Sequence, residues 1–458
     1  MSSLLGSSAA ATSSPWIPIR RPSFLTSTTT TTPPPPPSPP PSKFFKFHSS
    51  SPSHSPSSSC FRVVCSSGGT EGTSRSRSSS DAAARVSKFV LHDALESSGI
   101  HTSHAREGRE GFCAQIQKLS DIERETSISI NSCVDLGKTA LYIAAEDDSL
   151  VSHSSVPLPV DAFIERLDDL SVGYCSHYNS SYRSSPEKFL ESIERYLYGT
   201  KGFRRTHSRN QSEPRALYLH SVLTHRSGSI AMLSLIYSEL LKMLRMWGLV
   251  DFDVEIFFPH DLHSLPRGYD KQKSKESDQP HIITSQTLLL EILKNLKNAF
   301  WPFQHDHTRS LFLWAAHAAN CIDKSNIAEE SGFQLASAKA ARHRLERGVW
   351  TSVRFGDMRR ALSACERLIL LDTDAKELRD YSILLYHCGF FEESLQYLKL
   401  YQDTKDSSLK SQSADSLSSL EEDAVEKLMI RLNLILMEEG WSKPSHVRNY
   451  IGNNSEPW

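Results

Sequence analysis

Between Ser229 and Gly248 the chain holds its longest apolar run with a clean beginning and end. Ile230, Leu233, Ile236, Tyr237, Leu240, Leu241, Leu244 and Trp247 recur at three- and four-residue spacing, and Met232, Leu235 and Met243 carry apolar side chains onto the other faces. A helix that is apolar nearly all round has to be covered by protein. Ser227-Gly228-Ser229 supplies the N-cap and Gly248 the stop. Glu239, Lys242 and Arg245 interrupt its second half, which argues against a membrane span. The pattern predicts a buried central helix.

The same spacing rule predicts weaker helices before it. Val86, Phe89 and Val90 mark one over 82–95, and Ile116 and Leu119 another over 112–122. A globular core then begins with helices at Asp135–Glu146 and Pro159–Leu170. The next has readable ends, with Ser185 as cap, Pro186 and Glu187 in the first turn, and Gly199 as stop. After the central helix, Asp251–Phe258 alternates, placing Phe252, Val254, Ile256 and Phe258 on one face and Asp251, Asp253 and Glu255 on the other. Pro266 and Gly268 shorten any following strand, and the polar run over 269–279 reads as a mobile hairpin or loop.

Helices are predicted again at 287–300, 309–321 and 333–345. Gly356-Asp-Met-Arg-Arg-Ala361 and Gly389-Phe-Phe-Glu-Glu-Ser394 then recur at a 33-residue offset, with Ala361 and Ser394 at the small-residue position of a close helix pair. Leu371-Asp-Thr-Asp374 reads as the turn between them. A Ser/Asp linker over 403–419 precedes a last helix at 424–437, striped by Leu428, Leu432 and Ile435.

Composition separates the first 65 residues from the rest. They contain no Asp or Glu, are crowded with Ser, Thr and Pro, and include a polyproline tract from Pro33. Such a segment cannot bury enough apolar surface to fold, and its acid-free, hydroxylated character is that of a plastid transit peptide, with mitochondrion the alternative. Without it the chain has 46 basic against 53 acidic residues, about −7, which argues against a nucleic-acid partner. The six cysteines beyond it (113, 133, 175, 321, 365, 388) form no CxxC pair or zinc spacing and read as reduced, buried thiols. His305-Asp306-His307 with His317 lacks a third ligand at a fixed spacing, so no metal and no cofactor is expected.

The run Leu223-Thr-His-Arg-Ser-Gly-Ser-Ile-Ala-Met-Leu-Ser-Leu-Ile-Tyr237, with Asp135–Glu146, Pro159–Leu170, Gly202-Phe203-Arg204 and Thr287–Phe300, resembles the SirB-one family. That resemblance implies a transglutaminase-like domain followed by tetratricopeptide-like (TPR-like) helices. In catalytic relatives of the fold a cysteine opens the central helix, where the dipole favours a thiolate. The matching position here is Ile230, and an alkyl group cannot attack a carbonyl. His263 matches the second catalytic position after a two-residue insertion, with His260 as rival, and Asp270 or Asp278 would supply the third. The family itself usually departs from the cysteine. Ser229, beside the vacant position, is first an N-cap and only secondarily a substitute nucleophile.

The resulting reading is a mainly α protein with a small antiparallel β element. It has a transit peptide (1–65), an N-terminal helical extension (66–129), a transglutaminase-like (papain-like) α+β domain (130–300), a helical insertion (301–355), TPR-like hairpins with a capping helix (356–440) and a tail (441–458). Its expected role is a non-catalytic scaffold or adaptor in the chloroplast stroma, binding a protein client and no nucleic acid, with no integral membrane span. Arg342, Arg344 and Arg347 on an exposed helix face, and Tyr381 and Leu385 in the hairpin groove, are the candidate partner-binding residues. A hydrolase or acyl-transferase with a substituted nucleophile, and a small-ligand sensor in the degenerate cleft, are the alternatives.

Overall fold

A computed structural model describes residues 90–442 except 98, 120–123, 125–133, 153–155, 179–184, 207–213, 262, 274, 276–279, 304–309, 323–350, 353–355, 372–373 and 409–415. All of these belong to one compact unit, Val63–Trp458. The expected transit peptide (1–65), the helix expected at 333–345, Asp278, the His305-Asp306-His307 run and Arg342, Arg344 and Arg347 lie outside the described residues.

Two helices, α1 (Val90–Ser97) and α2 (Ser103–Gln117), precede the core and differ from the predicted bounds. α2 lies flat against α3 (Leu136–Ser152), the first core helix. Glycine makes that approach possible: a Cβ at Gly108 would stand 2.9 Å from the Glu146 backbone nitrogen, and one at Gly111 would stand 2.6 Å from the Tyr142 ring.

α4 (Val160–His177) and α5 (Pro186–Glu194) follow where expected. Ser185 has the extended backbone of a cap, but its side chain accepts no cap hydrogen bond. Gly199 does not end this helix. The backbone loosens at Arg195 into a π-helical turn through Thr200, and the left-handed residue is Gly202 at φ 73°. The wide turn directs Tyr196 and Tyr198 inward, where their hydroxyls donate to the Leu170 and Pro266 carbonyls at 2.9 and 2.6 Å.

A short helix α6 (Leu219–His225) leads to the central helix α7 (Ile230–Met246), which packs on α3 and α4. Ser229 caps it as predicted, its Oγ accepting from the Met232 amide at 3.3 Å, and Gly248 closes it at φ 71°. Ile230 to Leu241 are all buried. The last turn departs from the pattern, because Met246 and Trp247 are exposed. Glu239 is covered too; it accepts from the Gly137 amide and from Lys242.

β1 (Arg204–Arg205) pairs in parallel with β2 (Ser227–Gly228), and β3 (Val254–Phe257) pairs antiparallel with β4 (Arg267–Asp270). β4 is short, and Gly268 sits inside it opposite Ile256, because a Cβ there would strike the Tyr237 hydroxyl at 2.9 Å. Residues 281–283 flank the other edge of β3, through Phe258 N to His281 O at 2.8 Å. Glu255, expected on the wet face, is only 5 % exposed. Tyr269 stands directly opposite it and Phe257 is its neighbour on the same face, and the two rings cover that face.

The helix α8 (Ser285–Phe300) starts from a capping box at Thr284 and Thr287. α9 (Leu311–Ala318) lies in the region read as an insertion, yet Phe312, Trp314 and Ala315 are buried against α11 (Ala375–His387) and α13 (Ser416–Ser442). A hairpin of β5 (Thr351–Ser352) and β6 (Gly356–Asp357) leads into α10 (Met358–Leu370), which packs on α8 and α11. α12 (Phe391–Ser408) then packs between α11 and α13. The predicted linker is shorter than expected, since α12 and α13 occupy most of it. Ser394 and Ser382 exchange hydroxyl-to-carbonyl hydrogen bonds at 2.8 Å, the close approach that the small residue permits. No helix among the described residues is long and apolar enough to cross a membrane.

Three segments distant in sequence meet on one buried carboxyl. Glu146 of α3 receives His92 of α1 at 3.0 Å, Arg109 of α2 at 2.7 Å, and Ser363 and Arg367 of α10 at 2.9 and 2.8 Å. Asp147 takes Arg367 at 2.6 Å and the Tyr218 hydroxyl at 2.7 Å. Burial alone would raise the Glu146 pKa, but the Arg109 and Arg367 guanidinium groups outweigh it and hold the carboxyl well below its ordinary value. A second tie joins α8 to α11, where Lys297 reaches Glu377 and Asp380 at 2.5 and 3.1 Å.

Candidate functional site

The mouth of the central helix is where catalytic chemistry would have to sit. The β1–β2 pairing fixes it, with Arg205 in register with Gly228 and the Thr206 amide donating to the Gly228 carbonyl at 3.0 Å. Ile230 is the first helical residue and is 9 % exposed. Its alkyl chain fills the place where a nucleophile would open the helix. Ser229 is engaged on both sides, its amide donating to the Ala216 carbonyl at 2.8 Å and its hydroxyl serving as cap. Ser234 is wholly buried inside α7.

Arg205 ties a second element to this mouth. Its guanidinium donates to the Asp261 and Ser264 carbonyls, so the loop carrying His263 is held against β1 and hence near the start of α7. His263 is exposed, and its imidazole makes no hydrogen bond among the described residues. The rival His260 is also exposed and packs at a tilt against His281, at 4.9 Å between ring centres. A general base needs a hydrogen-bonded nucleophile and a group that orients it. His263 has neither.

Asp270 does lie in a strand and is 7 % exposed, which corrects its reading as a loop residue. It sits at the opposite end of β4 from the His263 loop, about 10 Å further along at the usual rise of an extended chain. Its Oδ1 accepts from the Gln272 amide at 3.1 Å. The family resemblance offered Asp270 or Asp278 as the third member of a triad; Asp270 makes no hydrogen bond to His263 among the described residues. Cys175, on α4, is half-buried beside Tyr174 and Tyr178.

The candidate partner-binding residues Tyr381 and Leu385 are buried, at 0 and 1 % exposure. Tyr381 donates to Glu366 at 2.6 Å, which explains its inward position. The exposed groove of the C-terminal helices instead runs along α12, where Glu392, Gln396, Lys399 and Asp403 border Leu395 and Leu400 around about 290 Å³. A larger cleft of about 380 Å³ lies between α5 and β4, missed because its two walls are more than 70 residues apart. No group of three or more metal-ligating side chains occurs among the described residues, and His317 is buried on α9.

No curated protein and no solved structure matches the chain. Residues 161–247, which run from α4 through the end of α7 and include Ser229 and Ile230 but not the His263 loop, match the family model of the transglutaminase-like superfamily, and the chain carries a domain of that superfamily there.

Proposed function

We propose that this chain is a non-catalytic member of the SirB-one family that works as a scaffold or adaptor for a protein client inside a plastid. The observation that carries the reading is Ile230 at the opening of α7, with Ser229 already spent as a cap and the His263 imidazole making no hydrogen bond among the described residues. The C-terminal helices are read as TPR-like hairpins. Their 33-residue offset and the buried small residues Ala361 and Ser394 support that. The client surface is then the α12 groove, since Tyr381 and Leu385 are inside.

The test has two arms on the purified full chain. Fluorophosphonate and iodoacetamide probes are expected to leave Ser229 unlabelled by mass spectrometry; labelling there would favour a hydrolase. Affinity capture from a plastid extract is expected to enrich a defined protein set, and Gln396→Arg with Lys399→Glu on α12 is expected to lose it. Identical captures by both chains would reject the groove as the client surface.

A further inference from the structure

Seven large apolar side chains stand exposed among the described residues, and three of them share one face of the last helix. Ile430, Leu434 and Met437 of α13 are 54, 53 and 56 % exposed. Their spacing of four and then three residues sets them in a single stripe about 10 Å long. The other side of α13 is the packed one, where Ala424, Val425, Leu428 and Leu432 are buried against α9 and α12. The last helix of a helical stack is polar on its outer face when that face meets water. Here the outer face is an apolar stripe, and exposed stripes of this kind mark contact surfaces.

We propose that a second copy of this chain covers the stripe, with the two α13 helices antiparallel about a twofold axis beside Leu434. The stripe matches its own reverse. With the axis at its midpoint, Leu434 meets the partner's Leu434 and Ile430 meets the partner's Met437. The charges along one flank match by the same operation. Lys427 lies one turn before Ile430 and Glu438 directly after Met437, so each Lys427 comes beside the partner's Glu438. Lys427 also holds Asp423 of its own helix at 2.9 Å, and an ammonium group has donors enough for a second carboxylate. A parallel pair would instead set lysine on lysine and glutamate on glutamate. One helix face per copy is a small interface, so the dimer should come apart at micromolar concentration. The contact does not depend on the adaptor reading.

Sedimentation equilibrium of the full chain over about 1–200 µM tests this, and the parent is expected to fit a monomer–dimer equilibrium. Leu434→Glu sets two like charges at the axis and is expected to weaken the dimer by about tenfold or more. Its melting temperature in dilute solution should match the parent's, because the side chain is exposed in the monomer. Lys427→Glu and Glu438→Lys are each expected to weaken the dimer by about three- to tenfold, and the two together to restore it to within about threefold of the parent. A parent that stays monomeric throughout, or a dimer that Leu434→Glu leaves intact, would overturn the proposal. A double exchange no better than either single change would overturn the antiparallel pairing on which it stands. A monomeric parent that captures a different protein, with capture lost in Leu434→Glu, would give the stripe to that protein and overturn the second copy as its occupant.

Discussion

Glu194 is a residue whose environment has a measurable cost. Burial beside Glu191 outweighs the attraction of Arg267 and lifts its pKa from 4.5 to about 6. Between those values the folded chain keeps a proton that the unfolded chain has released. Stability therefore falls as pH rises from about 4.5 to about 6 and is level above. Glu194→Gln should be more stable than the parent at pH 7.5 by less than about 1 kcal/mol, since solvent screens a half-exposed group, and equal to it near pH 4. Chemical denaturation at the two pH values measures this. At the same scale, Ser229, Gly248 and the alkyl group at Ile230 were legible in the sequence, because a cap, a stop and an opening residue act on their own helix. The burial of Glu255 and Asp270 was not, because alternation along a strand says nothing of what covers its second face.

Among the elements, the helices with strong periodicity or paired end signals were readable, and the π-helical turn after α5 was not. Gly199 looked like a stop, but Tyr196 and Tyr198 find inward partners only if the turn widens. β4 was hidden for a related reason: a strand containing Gly268 scores poorly until the Tyr237 hydroxyl beneath it is known. The α2–α3 contact makes a prediction at this scale. Gly108→Ala adds a helix-favouring residue yet should destabilise by about 1–2 kcal/mol, because the new methyl meets backbone that cannot swing aside. Gly111→Ala should cost less, since the half-buried Tyr142 ring can move. Urea midpoints of the two variants rank them, and a more stable Gly108→Ala would refute the close approach.

At the scale of the whole molecule, the buried cluster on Glu146 joins the first helices to α3 and α10. None of this was legible, since a charged residue on a helix is ordinarily read as solvated and its partners here lie 37 and 221 positions away. Arg367→Met should destabilise by about 3–5 kcal/mol, because it strands Glu146 and Asp147 without one of their counter-charges. Replacing Arg109, Glu146 and Arg367 together by apolar residues of similar volume should cost less than that single change. Thermal unfolding of the two variants tests the ordering.

The Arg109–Ser363 contact spans 254 positions. A chain leaving the ribosome, or threading through a translocation pore, starting from its N-terminus has made α2 and α3 long before α10 emerges. Until then Glu146 has Arg109 and His92 but not Arg367, Asp147 has only the Tyr218 hydroxyl, and the nascent protein waits in a half-neutralised state. Refolding from denaturant should accordingly show a slow final phase, and the triple apolar replacement should shorten it.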